Sequence, residues 1–222
     1  APNWRIVASI RVFDLRFGVI YRDLFAGRPV DDNYRDSDFT NVQHLLIPQL
    51  TDPELDQVWL KSPLMRDAYG QGTTALRALL RSPFNLFLLA NVLLAGLRDL
   101  RDITTQVQLL HLYWSYRVIG SDPRGLAREG LLSCALDRML KERRLQVPVH
   151  DVAEARIEAR DHLLSEGVLS PEKKAQGSVA RISFAHHVLF DYAVARLTLE
   201  SGRAPDFAAR LGIRVAPEPE PE

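Results

Sequence analysis

The sequence predicts a mainly α-helical chain with a few strands, and three observations predict it. Apolar residues recur at helical spacing through most of residues 51–200, bracketed by start and stop residues. One compact β-branched and apolar run, WRIVASI at residues 4–10, stands near the N-terminus. One pair of short apolar runs, joined by the turn-rich PEKKAQGS, reads as a β-hairpin.

WRIVASI is near-continuously hydrophobic, which predicts a strand covered on both faces. Arg11 and Asp14 follow it. DLRFGVIYRDLF continues as helix or loop, and residues 27–41 are polar and turn-rich, a surface loop. LTDPELDQVW starts a helix: Thr51 is the N-cap, Pro53 lies in the first turn and Glu54 completes a capping box. In TTALRALLRSPFNLFLLANVLLAGLRDL, Pro83 breaks the pattern, because it lacks an N–H and clashes in a helix interior. Two helices are predicted, the second with Ser82 as cap and Pro83 at its first position. Leu86, Leu89, Ala90, Leu93 and Leu97 then share one face.

The next helix places Val107, Leu110, Trp114 and Val118 at helical spacing and stops at Gly120. A further helix covers roughly residues 124–145. Another is predicted over 151–166, with Asp151 and Glu154 as a capping box and Gly167 closing its end. The hairpin follows, then a last helix from about Ala185 to Ser201. APEPEPE, rich in Pro and Glu, is predicted to be extended and solvated. Residues 101–200 thus read helix, helix, helix, hairpin, helix, which is a winged-helix arrangement.

With 222 residues, 46% apolar and 25% charged, the chain can bury a core as one large domain or two to three small ones. Lys plus Arg and Asp plus Glu stand at 28 each, so no net field attracts nucleic acid or an anionic membrane. The single cysteine, Cys134, excludes an internal disulfide and fits a reducing, cytoplasmic compartment. No basic stretch followed by an apolar one marks a signal peptide. The longest uncharged stretch, Ser82–Leu97, has sixteen residues and contains two asparagines; it is short for a membrane span and reads as a buried helix.

The stretch RISFAHHVLFDYAVARL raises the question of a site. His186 and His187 are adjacent, so on a helix they point about 100° apart and do not readily share a metal. His187 and Asp191 could pair on the helix surface. Spacing alone favours ordinary surface or core histidines, and no serine sits in a nucleophile motif. Arg11 ends a strand, where arginines contact phosphates in open α/β sheets but more often make salt bridges. Pro83 by itself is a helix-start residue. A winged helix often binds DNA, yet the helix before the wing carries Asp151, Glu154, Glu158, Asp161 and Glu166 against Arg156 and Arg160, the wrong sign for phosphate contacts. Lys173 and Lys174 in the wing read as solvated.

Taken in order, three segments resemble the C-terminal part of the ATPase module of STAND proteins, the signal-transduction NTPases that include NACHT and NB-ARC proteins. WRIVASIRVFD resembles the sensor-1 strand, whose terminal arginine reaches the nucleotide's γ-phosphate; the match is Arg11. LLRSPFNLFLLANVLL resembles the proline motif of the helical domain, where the proline packs near the adenine; the match is Pro83. ISFAHHVLFDYAVARL resembles the Phe-x-His and acidic-aromatic stretch ending the winged helix, matching Phe184, His186, Asp191 and Tyr192. There the histidine contacts the β-phosphate in the closed, ADP-bound state; His187 is the alternative match.

The resemblance covers about residues 4–200. It implies a terminal strand of an α/β nucleotide-binding domain with its loop (1–45), a helical lid domain (46–100), a winged-helix domain (101–201) and a linker or tail (202–222). The implied ligand is ATP or ADP, with Mg supplied by a missing upstream P-loop domain. No G-x-x-x-x-G-K-[ST] and no acidic strand end stand in this chain, so Walker A and Walker B are lacking and the chain is not expected to hydrolyse ATP alone. The implied role is the regulatory lid of an ATP/ADP switch acting in signalling or defence, with a downstream sensor or repeat domain and a nucleotide-dependent homo-oligomer as partners. The rival readings are a winged-helix DNA-binding regulator and a helical interaction module without ligand.

Overall fold

The computed structural model describes residues 8, 10, 12–152, 156–173 and 179–199. These are mainly helical, with one three-stranded antiparallel sheet. The chain divides into two compact units, Ala1–Leu50 and Thr51–Glu222.

In the first unit, α1 (Val12–Phe17) and α2 (Val19–Leu24) are separated by Gly18. A Cβ there would lie 2.6 Å from the Asp14 carbonyl oxygen, so the tight turn between the helices leaves no room for a side chain. The expected loop at 27–41 holds two short 3₁₀ turns, Asp32–Tyr34 and Ser37–Phe39. Asp31 and Asp36 cap them, accepting from the Asn33 and Asp38 N–H groups. Leu15, Phe39 and Val42 form a small core, with Ile10 and Phe25 packed against it. Of the strand expected at residues 4–10, only Ala8 and Ile10 are among the described residues, and neither lies in a strand.

The second unit opens with α3 (Asp52–Lys61), where the Thr51 N–H donates to the Glu54 carboxylate at 2.8 Å, as the capping box predicts, and the Thr51 hydroxyl donates to the same carboxylate at 2.8 Å. Sequence reading passed over α4 (Pro63–Gln71), whose start repeats the Ser-Pro pattern of residues 82–83. After α5 (Thr74–Leu79), α6 (Pro83–Leu94) begins with Ser82 as N-cap residue and Pro83 in its first turn. Leu86, Leu89 and Leu93 are buried, but so are Leu88 and Val92. Burial on several sides, rather than along one stripe, is what an almost wholly apolar helix requires.

α7 (Gln106–Trp114) runs into a π-helical segment, Ser115–Ile119, closed by the Gly120 N–H donating to the Ser115 carbonyl at 2.9 Å. Leu110, Trp114 and Val118 are buried as expected; Val107, on the first turn, is exposed. α8 (Gly125–Glu142) buries Arg128, Leu131, Leu132, Ala135, Leu136 and Met139, the 3–4 spacing of one face. β1 (Gln146–Pro148), α9 (Val149–Val152), α10 (Ile157–Ser165), β2 (Leu169–Lys173) and β3 (Val179–Phe184) follow, then α11 (His187–Val194), which continues as a π-helical segment, Ala195–Leu199.

The sheet order is β1-β3-β2. Ile182 pairs with Val147 on one side and Pro171 on the other. Both strand prolines, Pro148 and Pro171, lie on edge strands, and β3 between them has none, because proline cannot donate to a central ladder. Ile182 and Phe184 face inward while Arg181 and Ser183 are half-buried, the alternation of a sheet with one covered face.

Three expectations need correction. The helix predicted over 151–166 is two: Asp151 lies inside α9, where its carboxylate meets His150 at 3.1 Å and Arg138 at 3.4 Å, and so caps nothing; Glu154 lies outside the described residues. Gly167 does end α10, at φ 67°. The two-stranded wing is part of a three-stranded sheet, because β1 joins it. Finally, α11 begins at His187, not Ala185, and His186 stands before it in extended conformation (φ −142°, ψ 141°). Among the described residues no helix is long and apolar enough to cross a membrane.

Candidate functional site

Of the three residues singled out by sequence, Arg11 lies outside the described residues. Pro83 is exposed in the first turn of α6, and His186 is the half-buried N-cap of α11. The structure brings the last two segments together through a residue that sequence reading passed over. The ring of Phe84 stacks on the His186 imidazole, with centroids 3.9 Å apart and planes 16° from parallel.

His186 organises the first turn of α11. Its Nδ1 accepts from the Val188 N–H at 3.2 Å, and its carbonyl accepts from the Leu189 and Phe190 N–H groups at 3.0 and 3.2 Å. The Phe190 bond is the first ordinary i→i−4 bond of the helix, and the Val188 and Leu189 N–H groups, two of those a helix start leaves without an intrahelical partner, are satisfied by the same residue. A neutral ring that accepts at Nδ1 carries its proton on Nε2. Partial burial lowers the His186 pKa below 6.5, and the neighbouring His187 lowers it further, against an opposing pull from Asp191.

The two histidines are not splayed as helix geometry predicted. Because His186 precedes the helix, its ring lies 4.2 Å from that of His187, tilted by 31°. On the far side, Phe84 stacks with Phe87 at 6.4 Å, and Phe87 meets the buried Tyr113 at 6.0 Å. A row of rings therefore runs from the start of α11, along α6, to α7. Its inner end is pinned by polar contacts. The Tyr113 hydroxyl donates to the Glu166 carbonyl at 3.0 Å, and burial pushes that phenol's pKa up. Arg117 pairs with the Glu166 carboxylate and donates twice to the Asn91 carbonyl, at 2.8 and 3.1 Å.

Tyr192 belongs to a different cluster. Its hydroxyl lies 3.3 Å from His111 Nδ1, and its ring is 5.6 Å from Trp114. The Trp114 indole N–H donates to Glu129 at 2.7 Å, and Arg196 reaches the same carboxylate at 3.4 Å. This cluster holds α11 against α7 and α8. Phe184 packs edge-to-face on Phe190 at 5.7 Å, and Asp191 is exposed.

Phe84 could have been suspected from its place beside Pro83. Glu129, His111 and Arg117 carried no such signal, since their partners lie 15 to 85 residues away in sequence. Among the described residues no group of three His, Cys, Asp or Glu side chains is placed to hold a metal ion. No family model matches this chain, and no curated protein matches it.

Proposed function

We propose that this chain is the regulatory lid portion of a STAND-type ATP/ADP-dependent switch, coupling nucleotide state to a downstream sensor or effector. The observation that carries the reading is the stack of Phe84 on His186 at 3.9 Å. It joins the two segments whose motifs resemble adenine-facing and β-phosphate-facing elements. A nucleotide that touched both would find them side by side. With Nδ1 committed to the helix cap, the remaining donor of His186 is Nε2–H, which suits a phosphate oxygen.

The order α8, β1, α9, α10, β2, β3 with sheet order β1-β3-β2 supports a winged helix for residues after 124. The DNA-binding alternative is disfavoured by how the basic residues around α10 are used. Arg156 donates to the Gly130 carbonyl at 2.8 Å, Arg160 pairs with Asp161 at 2.7 Å, and Glu158 pairs with Arg124 at 3.0 Å. Guanidiniums engaged by the protein's own acceptors are poorly placed for phosphates.

In this reading Arg11 reports the γ-phosphate, Pro83 packs near the base and His186 holds the diphosphate. The P-loop, Mg and hydrolysis come from an upstream domain. ATP and ADP shift the population because they contact the lid differently. The test starts with the reading frame over about 200 residues upstream of Ala1, a typical domain length. A P-loop lysine motif and an acidic strand end are expected there. Nucleotide is then extracted from the purified parent protein and from its His186→Ala variant. Loss of bound ADP with an intact fold is the expected result. Unchanged ADP with lowered stability would instead make the chain a helical interaction module.

A further inference from the structure

We infer that His186 is a pH-responsive helix cap, which loosens the first turn of α11 when its ring takes up a second proton. The inference does not rest on the nucleotide reading; it needs only the cap and the stack.

N-caps are ordinarily Ser, Thr, Asp or Asn, whose oxygens accept the exposed N–H groups across the whole neutral range. Here the acceptor is an imidazole nitrogen, 3.2 Å from the Val188 nitrogen. Imidazole is the side chain whose ordinary titration falls near neutrality. Once protonated, Nδ1 becomes a donor and faces another donor, the Val188 N–H. The new charge also sits at the positive end of the helix dipole, where a cation is disfavoured. Both effects act on the same turn and in the same direction.

The surroundings reinforce the switch. From α11, His187 stands 4.2 Å away ring to ring, and its own protonation opposes that of His186; Asp191 acts the other way. α6 meets the imidazole with the Phe84 ring. Partial burial and His187 together hold the folded-state pKa below 6.5. The sign follows. The folded form favours the neutral ring, so the unfolded chain binds the proton first, and this contribution to stability is complete above about pH 6.5. It falls as the pH drops from there through the lowered folded value, and it does not change further below that value. The outcome is local, since the Tyr192–His111 and Arg196–Glu129 contacts hold the later part of α11 separately.

The test follows Val188 amide protection by NMR hydrogen exchange in the full chain between about pH 8 and about pH 5, corrected for intrinsic exchange. Protection at Val188 is expected to fall about tenfold, the scale of one lost cap. The fall should persist in His187→Gln and be absent in His186→Asn, whose amide oxygen caps without titrating. A parallel fall in His186→Asn, no fall in the unsubstituted chain, or a fall abolished by His187→Gln overturns the inference. Should His186→Asn not fold, ring ¹⁵N shifts of the unsubstituted protein decide. A bare Nδ1 at high pH is expected, and an Nδ1–H tautomer overturns the cap. No nucleotide is present, so the result is independent of the ATP/ADP proposal.

Discussion

His186 is held by two neighbours that favour the same neutral ring for different reasons. Val188 needs a bare ring nitrogen, and Phe84 covers a ring face that would otherwise be hydrated. Removing the cover separates the two. Phe84→Ala returns water to the imidazole, so the His186 pKa should rise toward 6.5 while the cap bond to Val188 remains. An NMR titration of the ring protons checks this, and a further fall in pKa would contradict burial as the cause. Arg128 shows another side chain serving the backbone. Almost fully buried, it donates to the Val118 and Ile119 carbonyls and to Asp122 at 2.9 Å, closing the C-terminal end of the π segment. That hydrogen bond also holds the Asp122 carboxyl below its usual pKa. At this scale the sequence was readable only where a local rule applied. Ser82-Pro83, Thr51 with Glu54, and Gly167 follow rules that span a few residues. His186 as a cap did not follow one, because histidine is not a preferred cap, and its stacking on Phe84 joins residues far apart in sequence.

The starts of α6 and α8 were legible to within a residue, while their ends fell three residues short of the expected reach, α6 stopping at Leu94 before Leu97 and α8 at Glu142. β1 was not legible, because three residues carry no period and its pairing is with residues 181–183. The division of the expected 151–166 helix was hidden for a related reason: Asp151 and Glu154 fit a capping box by spacing, but strand β1 delivers the chain into α9 already at Val149. The π segment after α7 was invisible too, since a wide turn differs from an α-turn by one residue. Its end does have a sequence mark. Gly120 sits at φ 65°, ψ −172°, a region open essentially to glycine alone, and a Cβ there would lie 3.0 Å from an Arg128 nitrogen. Gly120→Ala should therefore destabilise the protein by about 1–3 kcal/mol, read from the urea midpoint. A change within about 0.5 kcal/mol, the range of ordinary surface substitutions, would mean that the turn relaxes freely.

On the scale of the molecule, composition and periodicity indicated a mainly helical chain with few strands, and that is the architecture seen. They did not indicate where the compact units divide, because the break between Leu50 and Thr51 follows from contacts rather than from a run of glycine or serine. The second unit holds its own buried side chains, from Leu55 on α3 to Ala193 on α11. A chain starting at Thr51 is expected to keep a cooperative thermal transition within about 4 °C of the full chain, the shift that about 1 kcal/mol produces at this size. Calorimetry of the two checks it, and loss of cooperativity would show that residues 1–50 are needed for the second unit's core.

The π segment at Ser115–Ile119 also bears on which changes of length this chain can absorb. Its closing bond spans five residues where an α-turn spans four, so the helix stores one residue that its reach does not require. Losing a single residue there turns a wide turn into an ordinary one, at the end of the helix and beyond the α-helical turns of α7. The same loss within α8 would rotate everything beyond it by about 100° and carry half of the Leu131–Met139 stripe out of the core. Two neighbouring helices of similar burial thus differ sharply in their tolerance of insertion and deletion.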